Sequence, residues 1–175
     1  HGVFAVCQSS EMFRLTEDEC VRLAGRVVRA VAGRMAVVAS GHTAERLGDQ
    51  ICGLKRLADP GVDAVVMISN RLASPEENDD ALIARMNTIL KAIPDATFGM
   101  YECPYPYKRM LTDRVLKAMT RSGRFTFIKD TCCSAPLIAE RMRLLDGRVQ
   151  LFNANCATAL ETFEAGAAGF SGIMA

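Results

Sequence analysis

"AVVMIS", residues 64–69, is apolar at five consecutive positions before it reaches a polar one. A strand with one solvated face alternates apolar and polar side chains. A strand buried on both faces does not, and such strands belong to parallel sheets covered by helices. Six further runs share the pattern: "VFAVC" (3–7), "MAVVAS" (35–40), "FGMYEC" (98–103), "FTFIKD" (125–130), "VQLFNA" (149–154) and "GFSGIM" (169–174). Helical patterns with clear punctuation lie between them. Thr16 and Glu19 spell a capping box ahead of "CVRLAGRVVRAV". Ser74-Pro75-Glu76-Glu77 offers an N-cap, a first-turn proline and a returning carboxylate. Thr112-Asp113 opens "RVLKAM", and Ser134 opens "APLIAERMRLL", which Gly147 closes.

Strand, helix, strand at intervals of about 20 to 35 residues signals βαβ units and a parallel sheet. No linker or composition break divides the chain, so residues 1–175 read as a single α/β domain. The expected architecture is a (β/α)8 TIM barrel seen as a fragment with about seven strands, since full barrels run about 250 residues. A doubly wound open sheet is the competing architecture. It would carry a glycine-rich phosphate turn after its first strand, and "CQSSEM" is not one.

Composition narrows the function. Half the 175 residues are apolar, enough for one sizeable core, and the net charge of +1 is evenly interspersed. Nothing there marks a nucleic-acid or membrane partner. The apolar runs stop short of the roughly 20 residues of a membrane span. Seven cysteines occur without a CxxC pair, and Cys132 adjoins Cys133. They read as small core hydrophobes in a reduced, cytoplasmic setting. His1 and His42 are the only histidines, so no metal site is expected.

In parallel α/β folds the chemistry sits at the carboxyl ends of the strands. Those ends carry Gln8-Ser9-Ser10-Glu11, Ser40 and His42, Asn70, Tyr101-Glu102, Lys129-Asp130-Thr131 and Asn153 to Asn155. Converging on one mouth, they describe a small-molecule site. Ser40, Asn70 and Asn155 each read better as turn formers than as site residues, Asp130 as a loop or ion-pair residue, and "YKR" (107–109) as a solvated helix entrance. Lys129 taken alone could snorkel to solvent. Beside Tyr101, at the end of the preceding strand, it reads differently. Apolar burial lowers an amine's pKa and leaves it nucleophilic near neutrality. Such an amine forms a Schiff base with a ketone, and a nearby phenol can move the protons this requires. A lysine used this way should point into the barrel, free of a carboxylate, with Asp130 on the opposite face.

At this point the chain resembles the pyruvate-dependent class I aldolases of the dihydrodipicolinate synthase and N-acetylneuraminate lyase superfamily, over nearly its whole length. "CQSSEMFRLTEDE" occupies the place of GTTGE…LSxEE, and "VVASGHT" resembles VIAGTGxxT. "YECPYPYKR" stands at YNxPxxTG, "FIKDT" at GIKDS and "GAAGFSGIMA" at GADGVISxxAN. Five motifs in the right order carry the resemblance.

The resemblance implies a (β/α)8 barrel with its first βα unit and a C-terminal helical region missing from this chain. It makes Lys129 the imine-forming residue and Tyr101 the proton shuttle, with no cofactor beyond the covalent Schiff base and no metal. Gln8 and Ser9 fall where hydroxyls and a backbone N–H hold the keto-acid carboxylate; Ser9 matches that pattern and Gln8 departs from it. Thr131 falls on a substrate-contacting threonine, and Ser171 where the last strand's backbone meets pyruvate. Glu102 replaces an asparagine and is expected to address a hydroxylated or cationic substrate. The synthase's loop arginine is Pro106 here, with Lys108 or Arg109 as candidate replacements, and a tyrosine lent by a neighbouring subunit is Leu72. The expected activity is therefore that of a Schiff-base lyase or aldolase, reversibly condensing pyruvate or a related 2-keto acid with an unidentified aldehyde other than the synthase's own, in a homotetramer. A 2-keto-3-deoxy sugar acid dehydratase and a keto-acid-binding protein without turnover are the alternatives.

Overall fold

The computed structural model describes residues 1–172. Seven strands pair in chain order, every neighbour parallel. They are β1 (Gly2–Val6), β2 (Ala36–Ala39), β3 (Ala64–Ile68), β4 (Phe98–Tyr101), β5 (Phe125–Asp130), β6 (Gln150–Asn153) and β7 (Gly169–Phe170). A doubly wound sheet reverses its strand order at a switch point, whereas this order never reverses. The winding is that of a (β/α)8 barrel, of which the described residues supply seven parallel strands with helices outside.

The helices are α1 (Glu17–Val31), α2 (Leu47–Ala58), α3 (Ser69–Leu72), α4 (Asp79–Ala92), α5 (Asp113–Ser122), α6 (Ala135–Leu145) and α7 (Ala159–Glu164). Thr16 and Glu19 form the reciprocal capping box of α1, Glu19 Oε2 accepting from the Thr16 N–H at 2.8 Å. Thr112 and Ser134 cap α5 and α6. The start expected at Ser74-Pro75 needs correction, because α4 begins at Asp79 and is capped by Asn78. Glu77 does accept from the Ser74 N–H, but Arg85 also grips it, and the segment closes as a turn. The start at Asn78 keeps acids, Asp79 and Asp80, in the first turn, where the helix dipole favours them.

Phe127 and Phe152 meet edge to face inside the barrel wall, ring centroids 6.0 Å apart. The room comes from glycines on the neighbouring strands. A Cβ on Gly99 would lie 2.3 Å from Phe127 Cζ, and one on Gly169 2.7 Å from Phe152 Cδ1. One layer nearer the carboxyl ends, Phe4 of β1 meets Tyr101 of β4 across the interior at 5.8 Å. A cleft of about 830 Å³ runs from His1 and Thr97 at the amino ends to Lys129 and Ser171 at the carboxyl ends.

The strands are shorter than the apolar runs. "FGMYEC" stops pairing at Tyr101, and "GFSGIM" pairs only at Gly169–Phe170, its residues 173 and 174 lying outside the described residues. Cys7, Cys20 and Cys103 are buried, but Cys52, Cys133 and Cys156 are exposed, so core filling accounts for only part of the cysteines. No described helix is long and apolar enough to cross a membrane.

Candidate active site

Parallel pairing of β4 with β5 sets Tyr101 directly beside Lys129, so both side chains leave the same face. That face is the barrel interior. The Lys129 Nζ lies 4.9 Å from the centroid of the Tyr101 ring and 5.5 Å from that of Phe4. The residue is 6% exposed, and among the described residues no carboxylate pairs with it. Burial pushes the amine below the ordinary lysine range, against the opposing pull of Cys7 and Cys103. The aromatic faces favour the ammonium, but desolvation is the larger effect.

Asp130 takes the opposite face of β5. Its carboxylate pairs with Arg141 of α6, whose guanidinium also holds Glu102 at 2.9 Å. The substrate-binding role expected of Glu102 is therefore corrected. Its carboxylate is fully buried in the helix layer, accepting from the Leu111 N–H at 2.9 Å, and does not reach the mouth. Successive residues leave opposite faces of an extended chain, so an acid next to an inward tyrosine points out. Burial pushes the Glu102 carboxyl up, with Arg141 pulling the other way.

Gln8 does enter the mouth. Its Oε1 accepts from the Tyr101 hydroxyl at 3.3 Å and from the Cys103 thiol at 3.5 Å. Burial holds the Tyr101 phenol above its ordinary range, so it stays protonated near neutrality. Ser9 is exposed at the rim, its Oγ 2.8 Å from Cys7 Sγ. Burial alone would raise the Cys7 thiol, but hydrogen bonds from Ser9 and Ser10 outweigh it and bring it down. The Thr131 hydroxyl donates to the Glu102 carbonyl at 2.6 Å and ties the ends of β4 and β5 together. Ser171 lines the same cleft as Lys129 and continues the strand pairing, its N–H donating to the Asn153 carbonyl at 2.8 Å.

The remaining strand-end groups build the walls. His42 is buried, with Nε2 2.8 Å from Gln50 Oε1 and Nδ1 accepting from the Ile68 N–H, and burial lowers its pKa to about 4. Ser40 donates to the Val66 carbonyl, and Asn155 caps the 3-10 turn Cys156–Thr158. Asn70 does more than form a turn. Its Nδ2 donates to the carbonyls of Cys103, Tyr105 and Tyr107, and Tyr107 returns its hydroxyl to the Asn70 carbonyl. These bonds clamp the loop after β4. Lys108 is committed to the Thr131 carbonyl at 2.6 Å and Arg109 to Asp79 at 2.9 Å. Leu72 is fully buried in the core of the chain.

Sequence reasoning overlooked Arg141 and the two thiols beside the amine. Arg141 stands in register with the buried Ile138 and Leu145 on the inner stripe of α6, and an arginine on such a stripe needs buried acids. Cys7 carried no comparable signal. The reason is the register shift between Phe4 and Val6, whereas Cys103 stands two residues after Tyr101 and the alternation that turns Glu102 outward brings it back in.

A parallel (β/α) barrel with an amine buried among aromatic rings at its carboxyl end is the class that the fold and the site define. The family model described as "Dihydrodipicolinate synthetase family" matches residues 1–175, and the chain belongs to that family. It is 25% identical over 171 residues to a 4-hydroxy-tetrahydrodipicolinate synthase of Marinobacter nauticus, covering 97% of this chain and 57% of the relative. It superposes on the pyruvate-complexed, chloride-inhibited dihydrodipicolinate synthase of Acinetobacter baumannii with a TM-score of 0.88 at 19% identity, covering 99% of this chain and 58% of that one. YagE of E. coli K12, also complexed with pyruvate, gives a TM-score of 0.85 at 18% identity, with coverage of 98% and 57%. The chain thus spans a little over half the length of these relatives.

Proposed function

We propose that the full protein is a Schiff-base lyase or aldolase acting on pyruvate or a related 2-keto acid. The observation that carries this reading is the Lys129 amine, buried against Tyr101 and Phe4 with no carboxylate among the described residues to hold it charged. The neutral Nζ adds to the keto carbon, and loss of water with uptake of one proton from solvent leaves a protonated imine. The imine draws electrons from the adjacent carbon, so a C–H or C–C bond there breaks heterolytically to an enamine. The enamine attacks an aldehyde, or reprotonates, and hydrolysis returns the amine. Ser9, at the start of the 3-10 turn Gln8–Ser10, is the carboxylate-binding position, because the first N–H groups of a helical turn lack partners within it. Thr131 and Ser171 line the approach, no metal or further cofactor is required, and assembly is as a homo-oligomer.

Tyr101 is the proton-moving group, with one departure from a hydroxyl relay. Gln8 accepts the phenol's hydrogen, and an amide oxygen cannot pass a proton on. The phenol must swing its hydrogen from Gln8 to the substrate. That arrangement also favours a second reading, a keto-acid binder without turnover. Proton NMR of pyruvate in D₂O with the full-length protein separates the two. Methyl-proton exchange catalysed by wild type and abolished by Lys129→Arg is the expected result, since guanidinium stays protonated. Imine formation without exchange would leave the binder, and exchange persisting in Lys129→Arg would end the lysine's role.

A further inference from the structure

Tyr101 and Lys129 point into the barrel, and the residue after each points out. Glu102 and Asp130 therefore lie side by side in the helix layer, each one peptide unit from a member of the reacting pair. Arg141 of α6 holds both. Its Nη1 donates to Asp130 Oδ2, while its Nη2 lies 2.9 Å from Glu102 Oε2 and donates to the Leu111 carbonyl at 2.9 Å. The Leu111 N–H returns to Glu102 Oε2 at 2.9 Å, and the Cys132 N–H donates to Asp130 Oδ1 at 2.7 Å. The segments leaving β4 and β5 thus meet on one guanidinium. That guanidinium is set in turn by a helix capped by Ser134 and seated through the buried Ile138 and Leu145.

Stability alone does not account for this arrangement. Two carboxylates share one cation, and Arg141 Nε and Glu102 Oε1 have no hydrogen-bond partner among the described residues. Well-packed apolar side chains of similar volume often hold a structure together as well as a buried ion triad does, or better. What the triad supplies is a fixed distance, because a planar fork takes its oxygens at a set separation. The strand ends are also tied to each other, the Glu102 N–H donating to the Lys129 carbonyl at 3.1 Å and the Thr131 hydroxyl to the Glu102 carbonyl at 2.6 Å. A shift of either acid therefore carries its inward neighbour with it. We propose that Arg141 is a positioning residue: by gripping Glu102 and Asp130 together, it sets the spacing of the Tyr101 phenol and the Lys129 amine on the other face of the sheet. It acts only through those two strand ends.

This proposal rests on the imine reading of Lys129, and its test has an arm that does not. Arg141→Lys keeps a cation and loses the planar fork. A triple variant, Arg141→Met with Glu102→Gln and Asp130→Asn, removes the whole triad's charge. Its amide oxygens still accept from Leu111 and Cys132, so its urea midpoint should return close to that of wild type. Borohydride trapping with pyruvate counts the full-length molecules whose amine is competent. Methyl-proton exchange per trapped molecule is therefore independent of how much protein is folded. That ratio should fall about tenfold in Arg141→Lys and about a hundredfold in the triple variant, the cost of misplacing reacting groups by about 1 Å. A defect of folding alone lowers trapping and exchange together, and a ratio left at the wild-type value overturns the proposal. Crystal structures of wild type and the triple variant read the spacing without substrate. The Lys129 Nζ, 4.9 Å from the Tyr101 ring centroid in the native arrangement, should be displaced by about 1 Å in the variant. An unchanged separation overturns the proposal. Wild type that never traps pyruvate ends the reading of Lys129 instead, and the separation alone then decides the role of Arg141.

Discussion

Lys129 shows how one residue can be half legible. Its type and its place after "FTFI" mark it as an amine at a strand end, and alternation predicts that Asp130 points the other way, as it does. The ring faces of Phe4 and Tyr101 come from strands 125 and 28 residues distant, and no local pattern announces them. The lowered amine predicts that pyruvate trapping rises with pH and levels off below the ordinary lysine pKa of about 10.4. Rates of borohydride trapping from pH 6 to 10 would show it, and a limb still rising at the ordinary value would contradict the burial argument. Tyr101→Phe should still trap pyruvate but lose about 10²–10⁴ in turnover. His42 offers a stability test. Its folded pKa of about 4 lies below the unfolded value of about 6.5, so the unfolded chain binds the extra proton first. Stability should fall as pH drops from 6.5 to 4, by about 3 kcal/mol from this group, and flatten below. Denaturation of wild type and His42→Asn across that window should show a shallower acid limb in the variant.

Elements were more legible than their ends. Seven apolar runs became seven strands, because burial on both faces leaves a compositional mark that loops cannot imitate. The start of α4 was misplaced because Ser74 and Asn78 both cap well, and only Arg85, reaching back to Glu77, decides between them. Strand packing is where sequence goes silent, since Gly99 matters only through Phe127 on the next strand. Gly99→Val should destabilise by about 1–3 kcal/mol through overpacking, and Phe127→Leu should recover part of that loss in a double-mutant cycle. Additive effects in urea unfolding would show that the ring does not need the glycine's space. Helix α6 is fastened by charge as well as by Ile138 and Leu145. Arg141→Met strands Glu102 and Asp130 in the helix layer and should lower stability by about 3–5 kcal/mol, far more than Arg148→Met at the exposed Arg148–Asp146 pair.

At the scale of the molecule, the order of the strands does the chemical work. Consecutive parallel pairing brings β4 beside β5 and curves β1 round to face them, so that Phe4, Tyr101 and Lys129 share one space. The barrel winding was legible from spacing alone, and the five motifs carried the family. The committed states of Lys108, Arg109 and Glu102 were not legible, because each depends on a partner 23 to 39 residues away. Every step of the proposed chemistry runs through an imine at Lys129. Borohydride reduction of the full-length protein with pyruvate, followed by peptide mapping, tests this most directly. A single reduced pyruvate adduct on Lys129, absent from Lys129→Arg, is the predicted result; an adduct on another lysine, or none with any 2-keto acid, would contradict it.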